Sequence, residues 1–198
     1  MKPIRDFIVK PLGDIYANSI ELGDKKLILN SNIENHKFVN RLAVVIETPS
    51  LFKNIIKKGS VVVIHHNVFR RFYDIRGNEK NSRSYLMEDK YLVSIDQVFM
   101  FVKDNELKAF GDRCFVKPIK SSSEKTTDSL HYRKGILLYD NDSLNNLNVF
   151  SGDIVNYKKM REFEFYINNE LLYCMKSNDI LINYGNKNHK EKNNRSWS

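Results

Sequence analysis

Short runs of β-branched and aromatic residues, each closed by turn-forming residues, dominate the hydrophobic pattern of this chain. Arg41-Leu42-Ala43-Val44-Val45-Ile46 and Ser60-Val61-Val62-Val63-Ile64 are too short for ordinary helices and read as strands. Glu162-Phe163-Glu164-Phe165-Tyr166-Ile167 alternates charged and aromatic residues, and Asn168-Asn169 followed by Glu170-Leu171-Leu172-Tyr173 completes the pattern of a hairpin. Few windows keep a helical period over three turns. Ser94-Ile95-Asp96-Gln97 and Ser177-Asn178-Asp179-Ile180 predict tight turns in which Ser or Asp caps the backbone ahead of a closing strand. The expected fold class is all-β, with the strands closed into small barrels so that no sheet edge is left to aggregate.

The pattern occurs twice. Ile8-Val9-Lys10-Pro11-Leu12 returns as Phe115-Val116-Lys117-Pro118-Ile119, and Lys58-Gly59-Ser60-Val61-Val62 returns as Ser151-Gly152-Asp153-Ile154-Val155. Ser94-Ile95-Asp96 returns as Ser177-Asn178-Asp179. The three landmarks lie 107 (9 and 116), 93 (59 and 152) and 83 (94 and 177) residues apart. The shrinking offset places extra residues of the first copy within 12–40 and 69–89. Two tandem domains are expected: residues 1–103, with a long mobile loop over about 13–38, and a shorter copy over 108–185. Lys103-Asp104-Asn105-Glu106 reads as the polar linker between them. Residues 186–198 carry Lys187, Lys190, Lys192 and Arg195 against Glu191 alone, and read as a disordered basic tail.

Composition narrows the class of function. An apolar fraction of 41% is ordinary for a soluble protein, and no window reaches the roughly 18 apolar residues of a membrane span. The opening Met1-Lys2-Pro3-Ile4-Arg5-Asp6 lacks a signal-type apolar stretch, so a cytoplasmic protein is expected. The net charge of +8 comes from 32 basic and 24 acidic residues that are interspersed, with part of the excess in the tail. Only the stretch from His65 to Tyr73, with His65-His66 and Arg70-Arg71 beside Phe69 and Phe72, resembles a nucleic-acid surface; a strand with a solvated face accounts for it better. Cys114 and Cys174 are too few for a disulfide framework and read as free, partly buried thiols. Adjacent His65 and His66 on a strand would face opposite ways, which disfavours a shared metal. No catalytic or metal constellation and no phosphate-binding glycine loop is found, so neither enzymatic activity nor a cofactor is expected.

In order, a Val-Lys-Pro strand, a long loop, a Leu-Ala-Val-Val strand, Gly-Asp-Ile-Val and a closing Ser-x-Asp-Ile-Leu resemble the GroES-type co-chaperonins. The second copy carries Gly111-Asp112-Arg113-Cys114-Phe115-Val116-Lys117-Pro118, Gly152-Asp153-Ile154-Val155 and Ser177-Asn178-Asp179-Ile180-Leu181. The first carries Ile8-Val9-Lys10-Pro11 and Arg41-Leu42-Ala43-Val44-Val45, with Gly59-Ser60-Val61-Val62 in place of Gly-Asp-Ile-Val. The resemblance spans nearly residues 5–184. It implies two tandem GroES-like β-barrels that assemble into an oligomeric lid on a GroEL-type chaperonin, which itself binds ATP and folds client proteins.

In that family a mobile loop docks through a short aliphatic run. The matching residues are Leu27, Ile28 and Leu29, flanked by Lys25-Lys26 and Asn30-Ser31-Asn32. The competing assignment makes this triplet one more barrel strand. The second-copy loop, from Lys120 to Tyr132, holds Leu130 as its single aliphatic residue, so the resemblance implies that only the first copy docks. The alternative function is a non-catalytic structural or assembly protein, viral ones included, that reuses the barrel as an oligomer building block; a viral source would place it in the host cytoplasm.

Overall fold

The computed structural model describes residues 2–16, 19–22, 25–28, 39–51, 56–119, 132–167 and 170–186. About half of the described residues are β-strand, and the chain divides into two compact units, Met1–Leu107 and Lys108–Ser198.

The first unit contains β1 (Phe7–Pro11), β2 (Ser19–Leu22), β3 (Lys25–Ile28), β4 (Leu42–Glu47), β5 (Val61–Ile64) and β6 (Phe72–Tyr73). It continues through β7 (Glu79–Lys80), β8 (Tyr85–Met87), β9 (Lys90–Val93) and β10 (Val98–Lys103), and β11 (Glu106–Ala109) runs across the join. Seven of these strands form one sheet in the order β11-β10-β5-β4-β1-β9-β8, while β2-β3 and β6-β7 form separate two-stranded sheets. The second unit contains β12 (Arg113–Pro118), β13 (Tyr132–Tyr139), a helical turn (Asp142–Asn145), β14 (Ile154–Lys158), β15 (Phe163–Ile167), β16 (Glu170–Lys176) and β17 (Ile180–Asn183). Its sheet runs β15-β16-β12-β13-β14-β17. Read from β17, this is the order of the first sheet without β11.

The correspondence extends to single residues. Val9 faces Val45, Lys10 faces Val44 and Pro11 faces Ala43; Val116 faces Leu137, Lys117 faces Ile136 and Pro118 faces Gly135. Both ladders shift register at the same place, between Ile8 and Val9 and between Phe115 and Val116, leaving Ile46 and Leu138 as the extra residues of a bulge. The glycine landmarks mark equivalent turns. Gly59 and Gly152 sit at φ +85° and +95°, where an L side chain is strained. The next residue caps each turn: Ser60 Oγ accepts from the Lys57 amide at 3.2 Å, and Asp153 Oδ2 accepts from the Phe150 amide at 3.0 Å. Ser and Asp interchange here because the turn needs a short side-chain oxygen, whatever its charge.

The third landmark is displaced by one residue. Val98 pairs with Ile64 and Ile180 with the equivalent Tyr157, so the closing strands are offset by 82 residues (98 and 180) and not by 83. Ser94 therefore corresponds to Lys176. Ser94 closes its turn with Gln97, whose Oε1 accepts from the Ser94 amide at 3.2 Å and from its hydroxyl at 3.1 Å. Ser177 lies one position on and bonds elsewhere, to the Asp112 carbonyl and to the Asn141 side chain. The shared letters Ser-x-Asp perform different local jobs.

Three other expectations change. The sheets do not close: β11 and β8 are edges of one, β15 and β17 of the other. Edge protection comes instead from charge and brevity, with Glu106 and Lys108 exposed on β11, Glu164 exposed on β15, and β8 only three residues long. Lys103-Asp104-Asn105-Glu106 is a hairpin turn and not a linker; Asp104 and Asn105 both take positive φ (52° and 62°), as a two-residue hairpin requires. The stretch from His65 to Tyr73 is not one strand. After β5, His65 Nδ1 accepts from the Asn67 amide at 3.1 Å and opens a short 3-10 turn, His66–Val68. The two imidazoles lie with centroids 4.3 Å apart rather than on opposite faces of a strand, and Phe69 is buried edge-on to Tyr91. Asn168-Asn169 lies outside the described residues, while Ile167 and Glu170 on either side are paired.

The cores differ in a compensated way. Ala43 and Ile64 of the first unit correspond to Gly135 and Tyr157 of the second, and all four positions are buried. The larger tyrosine is matched by the loss of a methyl: a Cβ on Gly135 would lie 2.3 Å from Val116 Cγ1, 2.7 Å from the Lys117 carbonyl oxygen and 3.3 Å from the Tyr157 ring. Cys114 and Cys174 form no disulfide and are buried, and burial raises the Cys114 thiol pKa well above its ordinary value. Gly135→Ala should therefore destabilise the second unit by about 1–3 kcal/mol through overpacking. Denaturant unfolding followed by Tyr fluorescence and circular dichroism measures this; an unchanged transition would contradict the close approach.

Candidate docking hairpin and its neck

The long first-copy loop begins and ends at one place. Because Pro11 pairs with Ala43, the chain leaving β1 must return beside it. Beyond this pair, the Leu12 amide donates to the Leu42 carbonyl (3.0 Å), the Asn40 amide donates to the Ile15 carbonyl (2.8 Å), and Tyr16 bridges Val39. The two loop ends thus run side by side for several residues.

Asn40 is the clasp. Its Nδ2 donates to the Leu12 carbonyl at 2.8 Å and to the Asp14 carbonyl at 3.0 Å, while its Oδ1 accepts from the Leu42 amide at 2.8 Å. A carboxamide suits this position because it offers two donors and an acceptor at one point. Tyr16 adds a second tie, its hydroxyl accepting from the Arg71 amide at 2.6 Å. Burial raises the Tyr16 pKa, partly offset by that hydrogen bond and the Arg71 charge, so the phenol stays protonated at neutral pH. Arg71 is held in turn by Glu79 on β7, at 2.7 Å. The insertion after β5 therefore buttresses the insertion after β1. A cavity of about 420 Å³ beside the neck is lined by Lys10, Asp14, Tyr16, Arg71 and Asp89 among others.

Within the loop, β2 and β3 pair antiparallel, with Ile20 opposite Leu27 and Ser19 opposite Ile28. Two of the three sequence-chosen docking residues, Leu27 and Ile28, thus lie on β3, and Leu29 lies outside the described residues. β3 bonds to β2 and to no strand of the seven-stranded sheet. The second-copy loop, residues 120–131, lies outside the described residues. Its root keeps the first rung, with the Ile119 amide on the Lys134 carbonyl at 3.1 Å, but Tyr132 stands where the register places Asn40.

Sequence reasoning missed Asn40, Tyr16 and Arg71. Asn40 directly precedes the Arg-Leu-Ala-Val strand, and that adjacency was the available signal. Among the described residues, no group of three or more His, Cys, Asp or Glu side chains could hold a metal ion, and no helix is long and apolar enough to cross a membrane. Comparison with models of known protein families and with curated proteins returns no match.

Asn40→Asp would replace the double donor with a carboxylate facing two carbonyl oxygens. The neck should loosen by about 1–3 kcal/mol, the cost of leaving such groups unsatisfied. Hydrogen exchange should accelerate at the amides of Leu12, Asn40 and Leu42 while β12–β14 keep their protection. Equal protection in both proteins would contradict the clasp.

Proposed function

We propose that this protein is a tandem co-chaperonin of GroES type, which caps a GroEL-type chaperonin and assists ATP-driven folding without catalysing a reaction. Each unit is taken as one copy of the GroES-like small β-domain. The reading is supported first by the shared ladder, in which strand order, register and bulge repeat between the units. The single observation that carries it furthest is that the strand bearing Leu27 and Ile28 belongs to a hairpin outside the main sheet, on a loop tied at its neck.

The energetics suit a reversible lid. Burying each aliphatic side chain of the triplet in a partner groove contributes roughly 1.5–3 kcal/mol, while fixing flexible backbone costs about 1–2 kcal/mol per residue. A hairpin tied at its base has part of that ordering already in place. One loop alone binds weakly; several loops on one ring bind together through effective concentration. An oligomer is supported by β17, an edge strand among the described residues on which Leu181 and Ile182 are 45% and 42% exposed, whereas β11 flanks the equivalent strand β10. Work on a cytoplasmic chaperonin sets the compartment, the host cytoplasm if the source is viral.

The second unit keeps the ladder but has neither the triplet nor an asparagine at the clasp position. In this reading it is a structural member of the lid that does not dock.

Capture on an immobilised GroEL-type chaperonin tests the proposal. Wild type should be retained in the presence of ATP or ADP and released without nucleotide, and Leu27→Ser/Ile28→Ser/Leu29→Ser should lose at least ten-fold in retention with an unchanged circular dichroism spectrum. No nucleotide-dependent retention of wild type would overturn it.

A further inference from the structure

A second surface of the first unit has a different chemistry. Between the turn that follows β5 and the turn that precedes β10 lies a cavity of about 430 Å³, within the range of small-ligand sites. Its lining includes Arg70, Arg83, Asn67, Gln97 and the ring of Phe72, and no carboxylate.

The lining carries hydrogen-bond donors that have no partner among the described residues. Arg70 Nε is buried and has no hydrogen-bond partner among the described residues, a costly state for part of a guanidinium. The adjacent Arg71 Nε is buried and unpartnered among the described residues in the same way, but its Nη1 is neutralised by Glu79 at 2.7 Å, whereas no ion pair holds Arg70 among the described residues. Gln97 Oε1 is occupied by the amide and hydroxyl of Ser94, which leaves the carboxamide its NH₂ to offer. The rim is fixed: Ser82 Oγ donates to the Val68 carbonyl at 2.5 Å and accepts from the Ser84 amide at 3.2 Å. Two cations and two amides around one hollow match an oxyanion with several acceptor atoms, and a guanidinium binds a phosphate in bidentate fashion. Phe72 is 40% exposed beside them and offers a face on which a flat ring can stack.

We infer that this cavity binds a small phosphate ester carrying an aromatic ring, a nucleoside monophosphate in chemical class, with Arg70 and Arg83 on the phosphate and Phe72 under the ring. The site lies wholly in the first unit and does not depend on the co-chaperonin reading.

Isothermal titration of the full chain with AMP, ribose 5-phosphate and inorganic phosphate tests it. AMP should bind saturably and at least five-fold tighter than ribose 5-phosphate. Arg83→Gln, an exposed position, should weaken AMP at least ten-fold with an unchanged thermal transition, and Phe72→Ala should bring AMP to the level of ribose 5-phosphate. Absence of saturable AMP binding, or binding that Arg83→Gln leaves unchanged, overturns the site. AMP no tighter than ribose 5-phosphate overturns the aromatic ligand class. Binding of a single-stranded oligonucleotide without binding of AMP overturns the small-ligand assignment in favour of a nucleic-acid surface.

Discussion

The ladder joining each Val-Lys-Pro strand to the strand after its loop is the constraint on which the rest of the structure depends. Pro11 opposite Ala43, and Pro118 opposite Gly135, force the intervening chain to leave and return at one point. Proline itself gives no amide rung to the ladder, and the next rung comes from the residue after it, Leu12 in one copy and Ile119 in the other. Whatever lies between is then an excursion from the sheet, and its length adds only slowly to the cost of closure. That freedom lets one copy carry a long hairpin and the other a short polar loop on the same framework.

The two units show how such a framework tolerates change. At the glycine turn a serine hydroxyl and an aspartate carboxylate accept the same amide, so charge varies while geometry does not. In the core, Ala43 with Ile64 gives way to Gly135 with Tyr157, a trade of volume between neighbouring positions at nearly constant packing. Differences concentrate where the chain leaves the sheet. The first unit spends its extra residues on two insertions, one with β2 and β3 and the other with β6 and β7, and Tyr16 on one meets the backbone of Arg71 on the other.

Strands were legible in the sequence wherever a residue type is demanded by the ladder itself: Val9, Lys10 and Pro11 against Val116, Lys117 and Pro118, and the glycines that need positive φ. Alignment of the closing strands was less legible, because Ser94 and Ser177 present the same letters while the hydrogen-bonded register sets them one residue apart. The linker was misread because Asp104 and Asn105 suit a solvated spacer and a left-handed turn equally well. Open sheet edges could not be read from strand patterns, which are alike in barrels and in open sheets. Asn40 offered only its place directly before the Arg-Leu-Ala-Val strand: its role depends on two carbonyls 26 and 28 residues away, a separation that local reading does not reach.

The central claim is that the β2–β3 hairpin, and not the second-copy loop, meets a chaperonin. The most direct measurement places a photo-reactive phenylalanine analogue at Ile28 or, as comparison, at Leu130, and irradiates each protein with a GroEL-type chaperonin with and without nucleotide. The account predicts a cross-link to the chaperonin from position 28 that requires nucleotide, and none from position 130. Equal cross-linking from both positions, or none from position 28 under any nucleotide condition, would contradict it.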